Sequence, residues 1–254
     1  MSGIELKIEN YIATVTVNRP PANALNKETY IAIRDTFYSL EERDDVKVVV
    51  LTGAGKIFMA GNEFDEFPEM MERKACTTYY DIIRNGYLSV KNCKYPVIGA
   101  INGAAVGSGC AFAGCCDLLV AVEGAKFALS EIKVGIIGAD GFASLMVPEK
   151  VLRYMALSGN PLTAEEIYRH GGIHQVVPKG ELMNAAYKLA NELAQNARRA
   201  LIQWKLCLNQ NYEHDLPKKF NNNLNATVAY HPYHDFKEAS SAFIAKRPPE
   251  FDNK

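Results

Sequence analysis

The sequence predicts an α/β fold that ends in a helical region, and three observations carry that prediction. Short β-branched runs alternate with segments of helical spacing from the start of the chain to about Val177. Two of those runs, Val48 to Leu51 and Val97 to Ile101, lead into glycine turns, Gly53-Ala54-Gly55 and then Asn102-Gly103 with Gly107-Ser108-Gly109. From Gly180 onward the apolar residues recur at helical spacing, with helices expected over 181–195, 198–209, 216–230 and 235–246. A chain of 254 residues buries a large core, and a division into a core over 1–195 and a C-terminal helical region over 196–254 fits this pattern.

Ile4, Leu6 and Ile8 alternate with polar residues, and Ile12 to Val17 follows Asn10, so the chain should open with a β-hairpin that Pro20-Pro21 stops. Asn26 is placed to cap a helix whose inner face carries Tyr30, Ile33, Phe37 and Leu40. Val46 to Leu51 reads as a buried strand, and Glu69 to Lys91 as a long charged and aromatic helix. Pro96 to Val122 reads as strand, tight loop, helix and strand; the helix is built from small residues such as Cys110, Ala111, Ala113, Gly114, Cys115 and Cys116. Farther on, Pro148 to Leu157 is a helix closed by Gly159. Thr163 and Glu166 form a capping-box signature, and Gly171-Gly172 ends the helix it opens. Ile173 to Val177 is a brief strand.

Composition excludes several classes. The formal charge is −1, from 28 Lys+Arg against 29 Asp+Glu, which gives no basic footprint for nucleic acid. No apolar run reaches membrane-spanning length, and the N-terminus lacks the apolar core of a signal peptide, so a cytoplasmic protein is expected. The six cysteines contain no C-x-x-C pair, and reduced buried thiols are expected rather than disulfides or zinc. The five histidines, including His231 and His234, show no metal-ligand spacing, so no metal site is expected.

The glycine turn at 107–109 precedes a helix, and a helix start presents backbone N–H groups without intrahelical acceptors to any developing negative charge. Its spacing, Gly107-x-Gly109 followed by Gly114, departs from the dinucleotide fingerprint and disfavours a nucleotide oxidoreductase. Four stretches together carry a resemblance: Asn18-Arg19-Pro20 with Asn23-Ala24-Leu25; Leu51-Thr52-Gly53 through Phe58 to Ala60-Gly61; Pro96-Val97-Ile98 through Gly107-Ser108-Gly109 to Asp117; and Ala125-Lys126-Phe127 leading to Glu131. In their order and spacing the chain resembles the enoyl-CoA hydratase/isomerase (crotonase) superfamily. The resemblance implies a spiral of ββα units with a C-terminal helical part that caps the site and builds homotrimers or homohexamers. It implies an acyl-CoA thioester as substrate, with coenzyme A entering as part of that substrate and no further cofactor.

Carried over by position, the resemblance makes the N–H groups of Asn62 and Ser108 the oxyanion donors. Glu131 becomes the acid/base, in preference to a solvated charge. Ala111 stands where hydratases of the family carry a second glutamate, which favours 3-enoyl-CoA to 2-enoyl-CoA isomerisation over hydration. Asp140, nine residues after Glu131, is weighed equally as a second acid/base for a hydratase or dehydratase and as a turn-forming surface aspartate. A non-catalytic CoA-binding scaffold on the same fold is the other alternative. For the thioester and its CoA, the resemblance points to Ala22, Ala24, Leu25, Ala60, Gly61 and Gly107, with Phe243 and Lys246 near the C-terminus. Glu63 and Asp65 read as solvated turn acids, and Cys110 as a small buried residue rather than a nucleophile.

Overall fold

The computed structural model describes residues 3–66, 73–212 and 232–250, with residues 220, 221, 224, 225, 228 and 229. The opening hairpin forms as expected. Strand β1 (Ile4–Glu9) pairs antiparallel with β2 (Ile12–Val17), and Asn10 and Tyr11 turn the chain with φ of 50° and 66°. Positive φ at both central residues matches the right-handed twist of the two strands. Asn26 caps α1 (Lys27–Glu41) by accepting from the Thr29 N–H at 3.0 Å. Tyr30, Ile33, Phe37 and Leu40 are buried on that helix, as their spacing predicts.

Two sheets then grow in step. Strands β3 (Val48–Gly53), β5 (Val97–Ile101) and β7 (Leu118–Val122) extend the first sheet in parallel. Their partners β4 (Ile57–Met59), β6 (Ala104–Val106) and β8 (Lys126–Ala128) form the second. Each of β3, β5 and β7 is followed by a short strand of the second sheet, and a helix comes next in two of the three cases: α2 (Arg73–Lys91) after β4 and α3 (Ser108–Cys115) after β6. That repetition is the ββα spiral. The first sheet has the order β1-β2-β3-β5-β7-β10, closed by β10 (Gln175–Val177); the second runs β4-β6-β8-β9, closed by β9 (Leu162–Thr163). All residues of β3 and β5 are buried, as strands covered on both faces must be.

One difference from the sequence reading lies next to the site. The stretch after Asn102-Gly103 is a strand, β6, before it becomes a helix. Its three residues carry no pattern of their own; pairing with β4 and β8 on either side makes them a strand. Of the long helix expected over Glu69 to Lys91, residues 69–72 lie outside the described residues, as do most of 216–230.

The later helices follow their end signals. Helix α4 (Asp140–Ala143) is one short turn, and α5 (Glu149–Ser158) ends on Gly159 in the left-handed conformation. Helix α6 (Ala164–Arg169) has the complete Thr163/Glu166 capping box. Helix α7 (Leu182–Ala194) buries Leu182, Ala186, Leu189 and Ala190. Helix α8 (Arg198–Asn211) is pinned by Lys205, which is 5% exposed and donates to Asp117 Oδ2 at 2.7 Å and to the Tyr95 carbonyl at 2.9 Å. The same Asp117 oxygen accepts from the Val97 N–H at 2.7 Å, so this aspartate is a structural anchor for the start of β5. Helix α9 (His234–Ile244) packs beside the segment that carries Glu131, where Ser240 donates to the Val134 carbonyl at 2.9 Å. All six cysteines are unpaired; Cys207 alone of them is exposed. His231 lies outside the described residues, and no metal-binding group of three occurs among those described. No described helix is long and apolar enough to cross a membrane.

Candidate active site

The site lies where the second sheet meets the start of α3. After β4 the chain runs through Ala60 and Gly61 to Asn62, which bridges in parallel to Leu25. That bridge uses the Gly61 carbonyl, which accepts from Leu25 N–H at 2.8 Å, and the Glu63 N–H, which donates to Leu25 at 2.9 Å. The Asn62 N–H between them has no acceptor among the described residues, because alternate peptides of a strand face opposite ways. The second turn is built differently. Gly107 takes φ 53° and ψ −115°, and Ser108 opens α3 with no side chain capping the helix. Its N–H is therefore one of the orphan donors of a helix start. Gly109 allows close approach: a Cβ there would sit 2.2 Å from the Met59 carbonyl oxygen, so only glycine lets α3 pack onto β4 at this distance.

The side chains of the two turns meet. Ser108 Oγ donates to Asn62 Oδ1 at 2.7 Å, and the Tyr30 hydroxyl donates to the same oxygen at 2.5 Å. Tyr30 is fully buried, and its ring stacks on Phe112 with centroids 5.9 Å apart; Tyr87 meets Phe112 edge-on at 4.9 Å. An aromatic floor thus holds a hydroxyl against the first turn, and burial pushes the Tyr30 phenol well above its usual range, keeping it a neutral donor.

A cavity of about 120 Å³ opens in front of both turns, lined by Ala60, Gly61, Asn62, Gly107, Ser108 and Glu131 among others. Glu131 begins the short 3-10 turn Glu131–Val134 that follows β8. Its Oε1 lies against Gly107, where a Cβ would be 2.8 Å away. Its Oε2 is sealed from solvent and has no hydrogen-bond partner among the described residues, although the residue as a whole keeps some exposure. Burial, with the Asp140 charge adding to it, pushes the Glu131 carboxyl up to about 8. At neutral pH it mostly carries its proton.

Of the residues expected to hold the thioester and its CoA, Ala60, Gly61, Gly107 and Phe243 line the cavity. Ala22, Ala24, Leu25 and Lys246 do not. Leu25 is buried behind Asn62, the Ala24 carbonyl accepts from Arg19 at 2.8 Å, and Lys246 lies exposed beyond the end of α9. Asp140 is also not a lining residue; it opens α4 and reaches Glu131 through its charge. Glu63 is paired with Arg19 at 2.5 Å rather than simply solvated. Cys110 is buried and its thiol is pushed far up by burial, which leaves no thiolate to act as a nucleophile. Sequence reasoning missed Ser130, Lys133, Val134 and Ile136 as lining residues, and it placed Tyr30 in the core without seeing that its hydroxyl reaches the site. Nearness to Glu131 in sequence was the available signal for the first four.

Two unpaired backbone donors beside a buried carboxyl are an arrangement that can stabilise an oxyanion while a proton moves. The chain belongs to the enoyl-CoA hydratase/isomerase family, whose pattern it matches over residues 7–254. It is 32% identical over 256 residues to a short-chain-enoyl-CoA hydratase of Clostridium acetobutylicum, covering 98% of this chain and 97% of that one. It is also 31% identical over 255 residues to a 2,3-dehydroadipyl-CoA hydratase of Escherichia coli K12, covering 99% of each. Among solved structures, an enoyl-CoA hydratase/isomerase of Pseudoalteromonas atlantica superposes with a TM-score of 0.87 at 26% identity, covering 98% of this chain and 99% of that one.

Proposed function

We propose that the protein is an enoyl-CoA hydratase that adds water reversibly across the double bond of a 2-enoyl-CoA thioester. The observation that carries this reading is the placement of the Glu131 carboxyl at the cavity beside the Asn62 and Ser108 turns, where burial favours its protonated form. The thioester oxygen takes the two N–H groups, which draws electrons away from C3 as water adds there. Glu131 delivers its proton to C2, and the water's proton returns to the same carboxyl group, so the residue ends the cycle as it began. Burial chiefly keeps the proton on Glu131, and Asp140 acts at one remove by adding to that effect. The hydratase names of the relatives support the same choice.

This reverses the order of preference drawn from the sequence, where Ala111 pointed first to isomerisation. Ala111 is fully buried on α3, and Glu131 is the one carboxyl among the described lining residues, which keeps 3-enoyl-CoA isomerisation as the second reading. The two reactions start from opposite forms of Glu131. Hydration needs the acid and isomerisation needs the base. The hydration rate of crotonyl-CoA should therefore fall as pH rises through about 8, whereas isomerisation of 3-hexenoyl-CoA should rise through the same pH. Glu131→Gln should lower turnover by roughly 10²- to 10⁴-fold while thioester binding persists. Isomerisation faster than hydration at pH 7, with a rising limb toward pH 8, would replace the first reading by the second.

A further inference from the structure

Hydration poses a geometric problem that isomerisation does not. Water must be held over C3 while Glu131, the one carboxyl among the described lining residues, serves C2, and a freely tumbling water in that position would react slowly. A group that accepts a hydrogen bond from the water, and is itself fixed, is required beside Glu131. Among the described residues lining the cavity, the polar side chains are Asn62, Ser108, Ser130, Glu131 and Lys133. Lys133 is exposed and, as an ammonium, offers donors only. Asn62 Oδ1 already accepts two hydroxyl protons.

Ser108 differs from these. Its side chain is buried, with the residue 4% exposed, yet it borders the cavity. Its hydroxyl proton is committed to Asn62 Oδ1 at 2.7 Å, which leaves the lone pairs of the oxygen as its remaining hydrogen-bonding capacity. Asn62 cannot turn away easily, because the Tyr30 hydroxyl donates to the same oxygen at 2.5 Å and Tyr30 is locked in the aromatic floor. Ser108 and Ala111 are three residues apart on α3 and share one face of the helix. The serine thus stands one turn before Ala111 and directly after Gly107, against which Glu131 packs.

We propose that Ser108 Oγ is the water-orienting group of the reaction, fixed by the relay Tyr30 to Asn62 to Ser108, and so replaces a second carboxylate in function. It rests on the hydratase reading above. One proton of the attacking water points at Ser108 Oγ and the other at Glu131; the oxygen adds to C3, Glu131 gives its proton to C2 and receives one from the water. The serine exchanges no net proton. Tyr30 and Asn62 are positioning residues, and the same residue that supplies a backbone N–H to the thioester oxygen supplies its hydroxyl to the water.

The test is the ratio of crotonyl-CoA hydration to 3-hexenoyl-CoA isomerisation in the wild-type protein and in Ser108→Ala, Ser108→Gly and Tyr30→Phe. All three variants keep both oxyanion N–H groups, so a general loss of the oxyanion site would depress both reactions together. We expect Ser108→Ala and Ser108→Gly to lower the ratio by roughly tenfold or more, through kcat rather than KM, as loss of orientation does. Tyr30→Phe should shift it in the same direction by less. An unchanged ratio in both Ser108 variants of an active protein would overturn this inference alone. So would a larger change in Ser130→Ala than in Ser108→Ala. A wild-type protein that isomerises but does not hydrate would instead overturn the hydratase reading, and this inference with it. Tyr30→Phe leaves the α3 turn untouched and decides the question if the Ser108 variants fail to fold.

Discussion

The two turns that supply the N–H donors perform one task by different physics. The turn at Gly61-Asn62 frees its donor because a strand's peptides alternate: Leu25 takes the groups on either side of the Asn62 N–H and leaves that one over. The turn at Gly107-Ser108 frees its donor because helices begin with N–H groups that have no acceptor. The first depends on a bridge to Leu25, distant in the chain, and the second on local chain geometry. The second is also more tightly fitted, since Met59 presses on Gly109 and Glu131 presses on Gly107. Substitutions should therefore damage the second turn more than the first.

Gly109→Ala should have the largest effect. The added Cβ would meet the Met59 carbonyl oxygen at 2.2 Å, a backbone atom that cannot rotate away, so α3 must lift from β4. A loss of about 3 kcal/mol, the upper range for overpacking, is expected in denaturant unfolding, with little activity left. A stability near that of the wild type would mean that the two elements are not held at this spacing.

Gly107→Ala should cost less stability and show itself mainly in catalysis. Its φ of 53° with ψ −115° is strained for any residue with a Cβ, and that Cβ would stand 2.8 Å from Glu131 Oε1, the movable end of a side chain. The carboxyl yields, and a displacement of about 1 Å at the reacting group is worth on the order of 10²-fold in kcat. Equal losses of hydration and of thioester binding in this variant would place the damage in the fold rather than at Glu131.

The same contrast explains what was legible in the sequence. The second turn could be read from the glycine spacing and the small-residue helix, because its geometry is local. The first turn could be found only through the family resemblance, since nothing near Asn62 in sequence announces that Leu25 will pair beside it. Tyr30 shows the limit most clearly. Its place on the inner face of α1 follows from spacing, but its hydroxyl bond to Asn62 spans 32 residues and depends on how α1 meets the spiral. Strand β6 was hidden for a related reason, as Ala104–Val106 becomes a strand only between β4 and β8. Lys205 and Asp117 form an ion pair that no motif marks; a lysine on an amphipathic helix reads as solvated until the sheet edge beneath it is known. Among the expected CoA contacts, Phe243 reaches the cavity and Lys246 does not, because α9 ends between them.

The smallest effect is one of stability, and it separates the turns by the group that faces each. The turn at Asn62 meets a neutral amide network with its oxygen satisfied twice, whereas the turn at Gly107 meets a carboxyl whose Oε2 has no partner. In the unfolded chain Glu131 ionises near 4.5, and in the folded protein near 8. Between those values the folded state binds more protons than the unfolded state, so this residue makes stability fall as pH rises from about 4.5 to about 8 and level off above. Glu131→Gln keeps the shape and removes the titration. The variant should therefore match the wild type near pH 4.5 and melt higher at pH 8, by about 2 °C or more, the shift that ~1 kcal/mol gives in a chain of this length. The gain would accompany the loss of turnover, as is usual where an active site holds a group at a cost to the fold. A Tm difference that does not grow with pH between 5 and 8 would show that Glu131 is ionised in the folded protein. The proton assigned to it for hydration would then have to come from elsewhere.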